Sequence, residues 1–367
     1  MGTTRMPRRR TTLKDVASAV GVHVSTVSRA LNPATRQYIR DEVADRILAV
    51  CRELNYKPNA AAYSLRTNRT RIIGVLIPDI TNPVFPPIIR GIEDVLFASG
   101  YMAFIVNTDA RKELQTSLIG TLQARGIDGL IVASLERSDA AVSQIAKDGL
   151  PIVTVNRRSD DDAIPSVTND ENTGLELILE HLKFLGHHRV ANISGPLSIS
   201  TGKNRYDAFE RHRRAMGFDL SPELVLFADH LNEADGERLA DIALDTLGGL
   251  TALVASNDRL AIGAIAALKK RGIACPDDIS VTGFNDMPMV DRLQPSLTTV
   301  RVQQYKVGQR AAELMLEQVE GEGEPVRAQH VVTPVELIVR ASTGPAREKS
   351  ERPKAFTEIH TQDRPQT

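Results

Sequence analysis

The chain runs to 367 residues, 42% hydrophobic and 25% charged, too long for one ordinary domain and balanced like a soluble globular protein. Its net charge of −1 hides a division: residues 1–71 hold fourteen Lys/Arg against five Asp/Glu, a surplus of nine, and the remainder carries −10. No apolar run approaches the roughly 20 residues of a membrane span, "MGTTRMPRRRTTLKD" lacks the apolar stretch of a secretory signal, and Cys51 and Cys275 suggest neither metal nor disulfide.

A cytoplasmic setting without membrane or metal is therefore the expectation. A basic head on an acidic body is the footprint of a molecule that presents one end to a polyanion. A disordered basic tail would carry the same charge, but it would not need the periodic apolar positions that this head contains.

In "TTLKDVASAVGVHVSTVSRALN", Thr12 and Asp15 resemble a capping box with Asp in place of the usual Glu, which predicts a helix from Leu13. Leu13, Val16, Ala17 and Val20 recur at helical spacing, and Gly21 can take the positive φ that ends a helix. The next residues look like a strand, since Val20, Val22 and Val24 alternate with Gly21 and His23. However, Val27, Ala30 and Leu31 form an i, i+3, i+4 set, whereas a strand from Val20 would bury Val24 and Thr26 and expose Val27. The helical reading prevails: small Ala17, a turn at Gly21 and apolar Val27 fit a helix-turn-helix. The β-branched residues cost only some tenths of a kcal/mol each, which packing can override.

The second helix leaves His23, Val24, Ser25, Ser28 and Arg29 to face outward near its N-terminal half, the part of a recognition helix that meets base edges. Arg29 can grip guanine O6/N7 bidentately, Ser25 can donate or accept, and Val24 can pack on a thymine methyl. A third helix is expected from about Arg40 to Leu54, with Val43, Ile47, Val50, Cys51 and Leu54 on one face. A generic three-helix bundle is the bland alternative; charge and pattern together favour DNA binding.

In "NYKPNAAAYSLRTNRTRIIGV", Pro58 stops the third helix and Asn59 can cap a short new one. Ala60, Ala61 and Ala62 add almost no bulk, and Leu65 stands alone among Arg66, Arg69 and Arg71. The stretch is either a plain linker or a small helix whose alanines approach a twin while Leu65 wedges into the minor groove. Such a wedge costs a few kcal/mol of unstacking, offset by the contacts that bent DNA permits.

From Ile72 onward, apolar runs ("IIGVLIP", "YMAFIVN", "DGLIVAS", "PIVTVN", then "RVANISG", "LVLFA", "TALVASN", "DISVTGF") alternate with helical stretches. That is βα repetition and predicts parallel sheets covered by helices, with too many strands for one sheet and a switch between two lobes at "IPSVTNDENTG". Such sheets bind ligands at strand C-terminal ends, where Asp79, Asn82, Asn107, Asp109, Asn156, Arg157, Asn257, Asp258, Asn285 and Asp286 stand. Polar residues there are equally ordinary helix caps. "GPLSISTGKN" resembles a phosphate loop, but its glycine spacing is wrong and Asn204 takes the place of the Mg²⁺-holding hydroxyl. His181, His187 and His188 lack metal-ligand spacing, no nucleophile elbow is present, and the carboxylates of "RRSDDDAIP" read as a solvated loop.

"TLKDVASAVGVHVSTVSRALN", "LNYKPNAAAYSLRTNRTRIIGVLIPDITNPVF", "SNDRLAIGAI" and "DISVTGFNDMP…PSLTTV", in this order, resemble the LacI/GalR family of bacterial transcription regulators, from about Thr11 to Ser342. The resemblance implies an N-terminal helix-turn-helix DNA-binding domain (1–57), a hinge helix and linker (58–71) and a two-lobed periplasmic-binding-protein-like core of parallel sheets (72–342). Residues 343–367 read as a polar, disordered tail. It further implies a homodimer on a palindromic operator in double-stranded DNA, with a small effector, a sugar or sugar derivative, in the cleft. Contacts to DNA then fall to Thr12, Leu13, His23, Val24, Ser25, Ser28, Arg29 and Asn32 in the head and to Asn59, Ala60, Ala62, Tyr63 and Leu65 in the hinge. Contacts to effector fall to Asp79, Asn82, Phe85, Asn156, Thr201, Arg205, Asn257 and Asn285.

This sequence departs from the family pattern at three of these. His23 stands where Ser or Thr commonly caps the recognition helix, Tyr63 replaces a frequent hinge Arg, and Asn285 replaces a frequent Asp. Phe85 and Phe284 could touch a ligand ring or simply belong to the core. The expected function is a cytoplasmic repressor, not an enzyme, with no cofactor. Control by a partner protein, a nucleobase corepressor, or an enzyme carrying a DNA-binding head are the rival readings, and whether ligand releases or promotes DNA binding is open.

Overall fold

Thr12 opens the first helix of the head. The computed structural model describes residues 11–56, 69–321 and 328–347, and the chain divides into two units, Met1–Thr70 and Arg71–Thr367. In the first unit, the Thr12 hydroxyl accepts from Asp15 N–H while the Asp15 carboxylate accepts from Thr12 N–H at 2.7 Å, a complete capping box for α1 (Leu13–Val20). Gly21, at φ 73°, ends it. There follow α2 (Val24–Ala30), the four-residue α3 (Pro33–Arg36), absent from the expectation, and α4 (Asp41–Glu53).

The β-branched stretch is thus helical, because Val27 and Ala30 are needed in a small core with Val16, Ala17, Val20, Ala44, Ile47 and Cys51. Leu54, expected in that core, is 39% exposed just past the end of α4, and Ala44 takes the central place instead. His23 supplies the α2 cap, its Nδ1 accepting from Ser25 N–H at 3.3 Å. The hinge residues Asn59, Ala60, Ala62, Tyr63 and Leu65 lie outside the described residues.

The described residues of the second unit carry twelve strands: β1 (Ile72–Ile77), β2 (Met102–Asn107), β3 (Gly129–Val132), β4 (Ile152–Val155), β5 (Ser166–Asn169), β6 (Val190–Ser194), β7 (Val225–Phe227), β8 (Ala252–Ala255), β9 (Ser280–Asn285), β10 (Thr298–Arg301), β11 (His330–Thr333) and β12 (Glu336–Ile338). They form two six-stranded sheets, β11-β5-β4-β3-β1-β2 and β12-β10-β9-β8-β6-β7. Every pairing is parallel except that of β12 with β10, a departure from the all-parallel expectation at one sheet edge.

The helices are α5 (Phe85–Ala98), α6 (Lys112–Ala124), α7 (Ala140–Lys147), α8 (Glu171–Phe184), α9 (Ser200–Ala215), α10 (Glu233–Thr246), α11 (Asp258–Lys270) and α12 (Gln304–Glu320). By their packing, α5, α6, α7 and α12 belong to the first lobe and α8 to α11 to the second. The chain therefore crosses between lobes three times: from β5 to α8, where the switch was expected, from β10 to α12, and from β11 to β12. No described helix is long and apolar enough to cross a membrane.

Each lobe fixes one helix pair by mutual glycine contact. A Cβ at Gly308 of α12 would sit 2.0 Å from the Ile88 carbonyl of α5, and one at Gly91 2.1 Å from the Tyr305 carbonyl. In the second lobe, Gly236 of α10 and Gly263 of α11 stand in the same relation to the Leu260 and Glu233 carbonyls, at 2.2 and 2.0 Å. The first residues of the expected tail are docked rather than free: Ala346 N–H donates to the Leu185 carbonyl at 2.8 Å, and Thr343 bonds His181 at 2.9 Å.

Gly308→Ala should lower the stability of the second unit by about 1–3 kcal/mol, because backbone cannot yield to the new methyl. Gly120→Ala, in open space on α6, should instead add about 0.4–1 kcal/mol; urea unfolding reads both, and equal effects would refute the close-packing account. In the head, His23→Ala should cost about 0.5–2 kcal/mol as a lost cap while His23→Ser restores most of it, measured by thermal unfolding of the full chain.

Candidate functional site

On the head, the exposed face of α2 is set by what its other face buries. His23, Ser25 and Arg29 are exposed and Ser28 is half-buried. Ser25 and Arg29, four residues apart, share a helix face. Val24 is less free than expected, half-buried against the head core, as is Leu13. Thr12 is exposed but its hydroxyl is spent on Asp15, at 2.8 Å. Asn32 is half-buried at the start of α3, its carbonyl accepting from Thr35 and Arg36 N–H.

In the second unit, parallel βα order places strand C-terminal ends of both lobes around one cavity of about 480 Å³. All eight residues expected to meet an effector line it: Asp79, Asn82, Phe85 and Asn156 from the first lobe, and Thr201, Arg205, Asn257 and Asn285 from the second. Several also serve the backbone. Asn257 Oδ1 caps α11 by accepting from Leu260 N–H at 2.8 Å, Asn82 Oδ1 accepts from Val84 N–H at 3.2 Å, and Asp79 accepts from Thr81 N–H at 2.9 Å. The cap reading and the lining reading therefore coexist. Asn156 and Asn285 have φ of 63° and 120°, left-handed positions that cost a non-glycine residue about 1–3 kcal/mol and gather at ligand sites.

Arg205 is the buried centre of the second lobe's wall. Extending from α9, it donates from Nη1 to the Ser256 carbonyl at 2.6 Å and from Nη2 to Asn285 Oδ1 at 3.3 Å. Its guanidinium lies 3.8 Å over the Phe284 ring, so Phe284 belongs to the core beneath the arginine and not to the cavity lining. Glu171 Oε1 is 4.0 Å from Nη2, while Nε has no partner. Burial pulls the Arg205 pKa down to about 10. Burial likewise pushes the Glu171 carboxyl up to about 7, against the pull of the Arg205 cation. Asp258 is pushed up to about 6 by burial, although the Thr299 hydroxyl and Met287 N–H favour its anion.

Two arginines outside the effector set also line the cavity. Arg157 was legible only as a polar residue after a strand, inside a run read as a solvated loop. It is in fact 9% exposed, donating from Nη1 to the Ser134 and Leu135 carbonyls at 3.1 and 3.4 Å. Arg259, one residue into α11, grips Glu233 with two 2.8 Å bonds and reaches Asp79 of the other lobe at 3.1 Å. Two further bonds join the lobes beside the cavity, Arg137 N–H to the Ser198 carbonyl and Arg158 N–H to Ser200 Oγ, both 2.8 Å.

The other sequence features have structural partners. Gly202, in the loop resembling a phosphate site, is needed because a Cβ there would lie 2.1 Å from the Pro196 carbonyl. His187 is buried, Nε2 donating to the Gly344 carbonyl and Nδ1 accepting from Thr251, with burial holding its pKa below the usual imidazole value. Among the described residues, no three His, Cys, Asp or Glu stand as a metal-binding group.

Residues 12–59 match the family model for bacterial regulatory proteins of the lacI family, and residues 70–340 match that for periplasmic binding proteins and the sugar binding domain of the LacI family. The ribose operon repressor of Halalkalibacterium halodurans is 33% identical over 334 residues, 91% of this chain and 97% of that protein. The transcriptional repressor PurR of Aliivibrio fischeri is 31% identical over 84% of this chain and 91% of its own length. Among solved structures, the lac repressor dimer bound to operator and the anti-inducer ONPF superposes with a TM-score of 0.81 at 26% identity, covering 92% of this chain and 100% of that one. With a helix-turn-helix head, a two-lobed parallel core and matches across nearly its whole length, the chain belongs to the LacI family of bacterial DNA-binding transcription regulators.

Proposed function

We propose that the chain is a repressor that grips a palindromic operator as a homodimer and is controlled by a sugar or sugar derivative held between its lobes. The observation that carries this reading is the convergence of all eight expected effector residues, from strand ends and from α5 and α9, on one cavity spanned by both lobes. The named activities of the relatives favour it: one represses a ribose operon, and the lac repressor structure holds both operator and anti-inducer. A nucleobase, suggested by likeness to a protein named PurR, fits less well. Phe85 and His230 are the only aromatic rings among the described lining residues, and the rest of the wall is mainly polar.

A ligand shifts the lobes only by binding one arrangement better than another. The cross-lobe bonds of Asp79, Ser198 and Ser200 and the three chain crossings are the parts whose geometry changes with lobe angle. A homodimer is supported by Phe97, Met102 and Phe104, exposed at 84%, 67% and 44% on α5 and the edge strand β2, since exposed apolar clusters mark association surfaces.

Arg29→Ala should weaken specific operator binding by about 1–3 kcal/mol, read by fluorescence anisotropy on DNA selected from a randomised pool. An unchanged base preference would refute the assignment of α2 as the reading helix. In a thermal-shift panel of sugars, sugar acids, polyols and nucleosides, an effector at about 100 times its Kd should add about 2.7 kcal/mol to the full chain. Arg205→Ala should abolish that shift. If operator binding responds to a protein fraction and to no member of the panel, control by a partner protein replaces this reading.

A further inference from the structure

The charges of the cavity are sorted by depth. Its acidic lining residues lie at the mouth: Asp109, Glu136 and Asp229 are exposed and Asp79 half-exposed. Three of the four are engaged, Asp79 by Arg259, Asp229 by Arg238, and Asp109 by the Asn107 amide. The deep charged groups are both cationic and come from opposite lobes, Arg157 at 9% exposure and Arg205 at 4%.

Burying a guanidinium without a counter-charge is costly, and protein interiors ordinarily pair such groups. Arg157 has no ion pair among the described residues: its protein partners are two backbone carbonyls, both on Nη1. Glu136, the acid close enough to act on it, stays exposed and outside ion-pair range. Arg205 has a buried Nε with no partner and a neutral amide, Asn285, on its Nη2. Its ion-pair partner Glu171, at 4.0 Å, and the buried Asp258 that also acts on it both lie outside the cavity lining, so no carboxylate meets it from the cavity side. A neutral sugar would bring hydroxyls to both cations but no compensating charge. Thr201, Asn156 and Asn257 add hydroxyl and amide groups suited to a polyhydroxy skeleton.

We infer that the effector is an anionic sugar derivative whose carboxylate or phosphate oxygens are held between Arg157 of the first lobe and Arg205 of the second, beside the neutral amide of Asn285. This inference rests on the effector reading of the cavity. Closing the lobes onto the ligand brings the two cations to one anion, so the negative charge itself favours the closed arrangement. Guanidinium pairs with carboxylate or phosphate by short, often bidentate bonds.

The test is calorimetric titration of the full chain with matched sets: D-ribose, D-ribonate and ribose 5-phosphate; D-glucose, D-gluconate, D-glucuronate and glucose 6-phosphate; D-galactose, D-galactonate and D-galacturonate. The tightest ligand should be an anion that exceeds its neutral parent by about ten- to hundredfold. Acid against phosphate within a set identifies the source of the charge. Arg157→Gln and Asn285→Asp should each erase most of that preference, and Arg157→Gln should not lower the melting temperature of the unliganded protein, as loss of a merely structural group would. If one variant fails to fold, the other and the wild-type ratio decide. A neutral sugar that binds as tightly as its acid overturns the inference and leaves the effector reading standing. Binding by no member of the sets overturns both the inference and the sugar-effector reading.

Discussion

The second lobe is organised around the placement of one buried cation. Arg205 extends from α9, and its fixed contacts are the Ser256 carbonyl after β8, the Phe284 ring and Asn285 amide of β9, and the Glu171 carboxyl in the first turn of α8. Four elements distant in sequence thus meet at a single planar group. Its fork geometry and its face can be satisfied at the same time, which a lysine ammonium cannot do. Burial disfavours the charge, so the arrangement persists only because the surrounding dipoles and carboxylates compensate it. A substitution at Arg205 removes a cavity-lining cation and the common point of the wall together.

Around that centre, residues of the cavity are tied to the segments that join the lobes. The Asn285 carbonyl accepts from the Gln304 side chain at 2.8 Å, where the chain passes from β10 to α12. Asn169, at the β5 crossing, donates to Asn156 Oδ1 at 3.5 Å and accepts from the Thr333 hydroxyl at 3.1 Å, beside the third crossing. Cavity and crossings therefore share side chains. On the proposed reading, a ligand that reoriented Asn156 or Asn285 would act directly on the segments that join the lobes, without a longer route of coupling.

Much of this was legible in the sequence, for reasons that also explain what was not. The capping box at Thr12 and the spacing of Val27, Ala30 and Leu31 outweighed the β-branched run because tertiary burial overrides propensity. Eight of the strands announced themselves as apolar runs, six of them, all but the edge strands β2 and β7, being buried between helices. The other four, β5, β10, β11 and β12, are three or four residues long and rich in polar residues or at sheet edges, so no period could reveal them. Arg157 escaped for a different reason: its neighbours Arg158, Asp160 and Asp162 form surface ion pairs, and local composition hid the one charged side chain of the run that is buried.

The asparagines of the cleft show how backbone and ligand demands can select the same residue. Asn156 and Asn285 occupy left-handed backbone positions, which Asn tolerates better than most side chains, and Asn257 caps a helix. Each would suit its place in a protein that bound nothing, so an asparagine after a strand is by itself a weak sign of a ligand. A buried arginine is a stronger one. No turn or cap requires it, its desolvation opposes folding, and smaller apolar side chains would fill the space at lower cost. Where two such arginines face one cavity from lobes joined by three chain crossings, the inferred anion would supply from the cavity side the charge that Arg157 lacks and that Glu171 and Asp258 give Arg205 only from outside the lining.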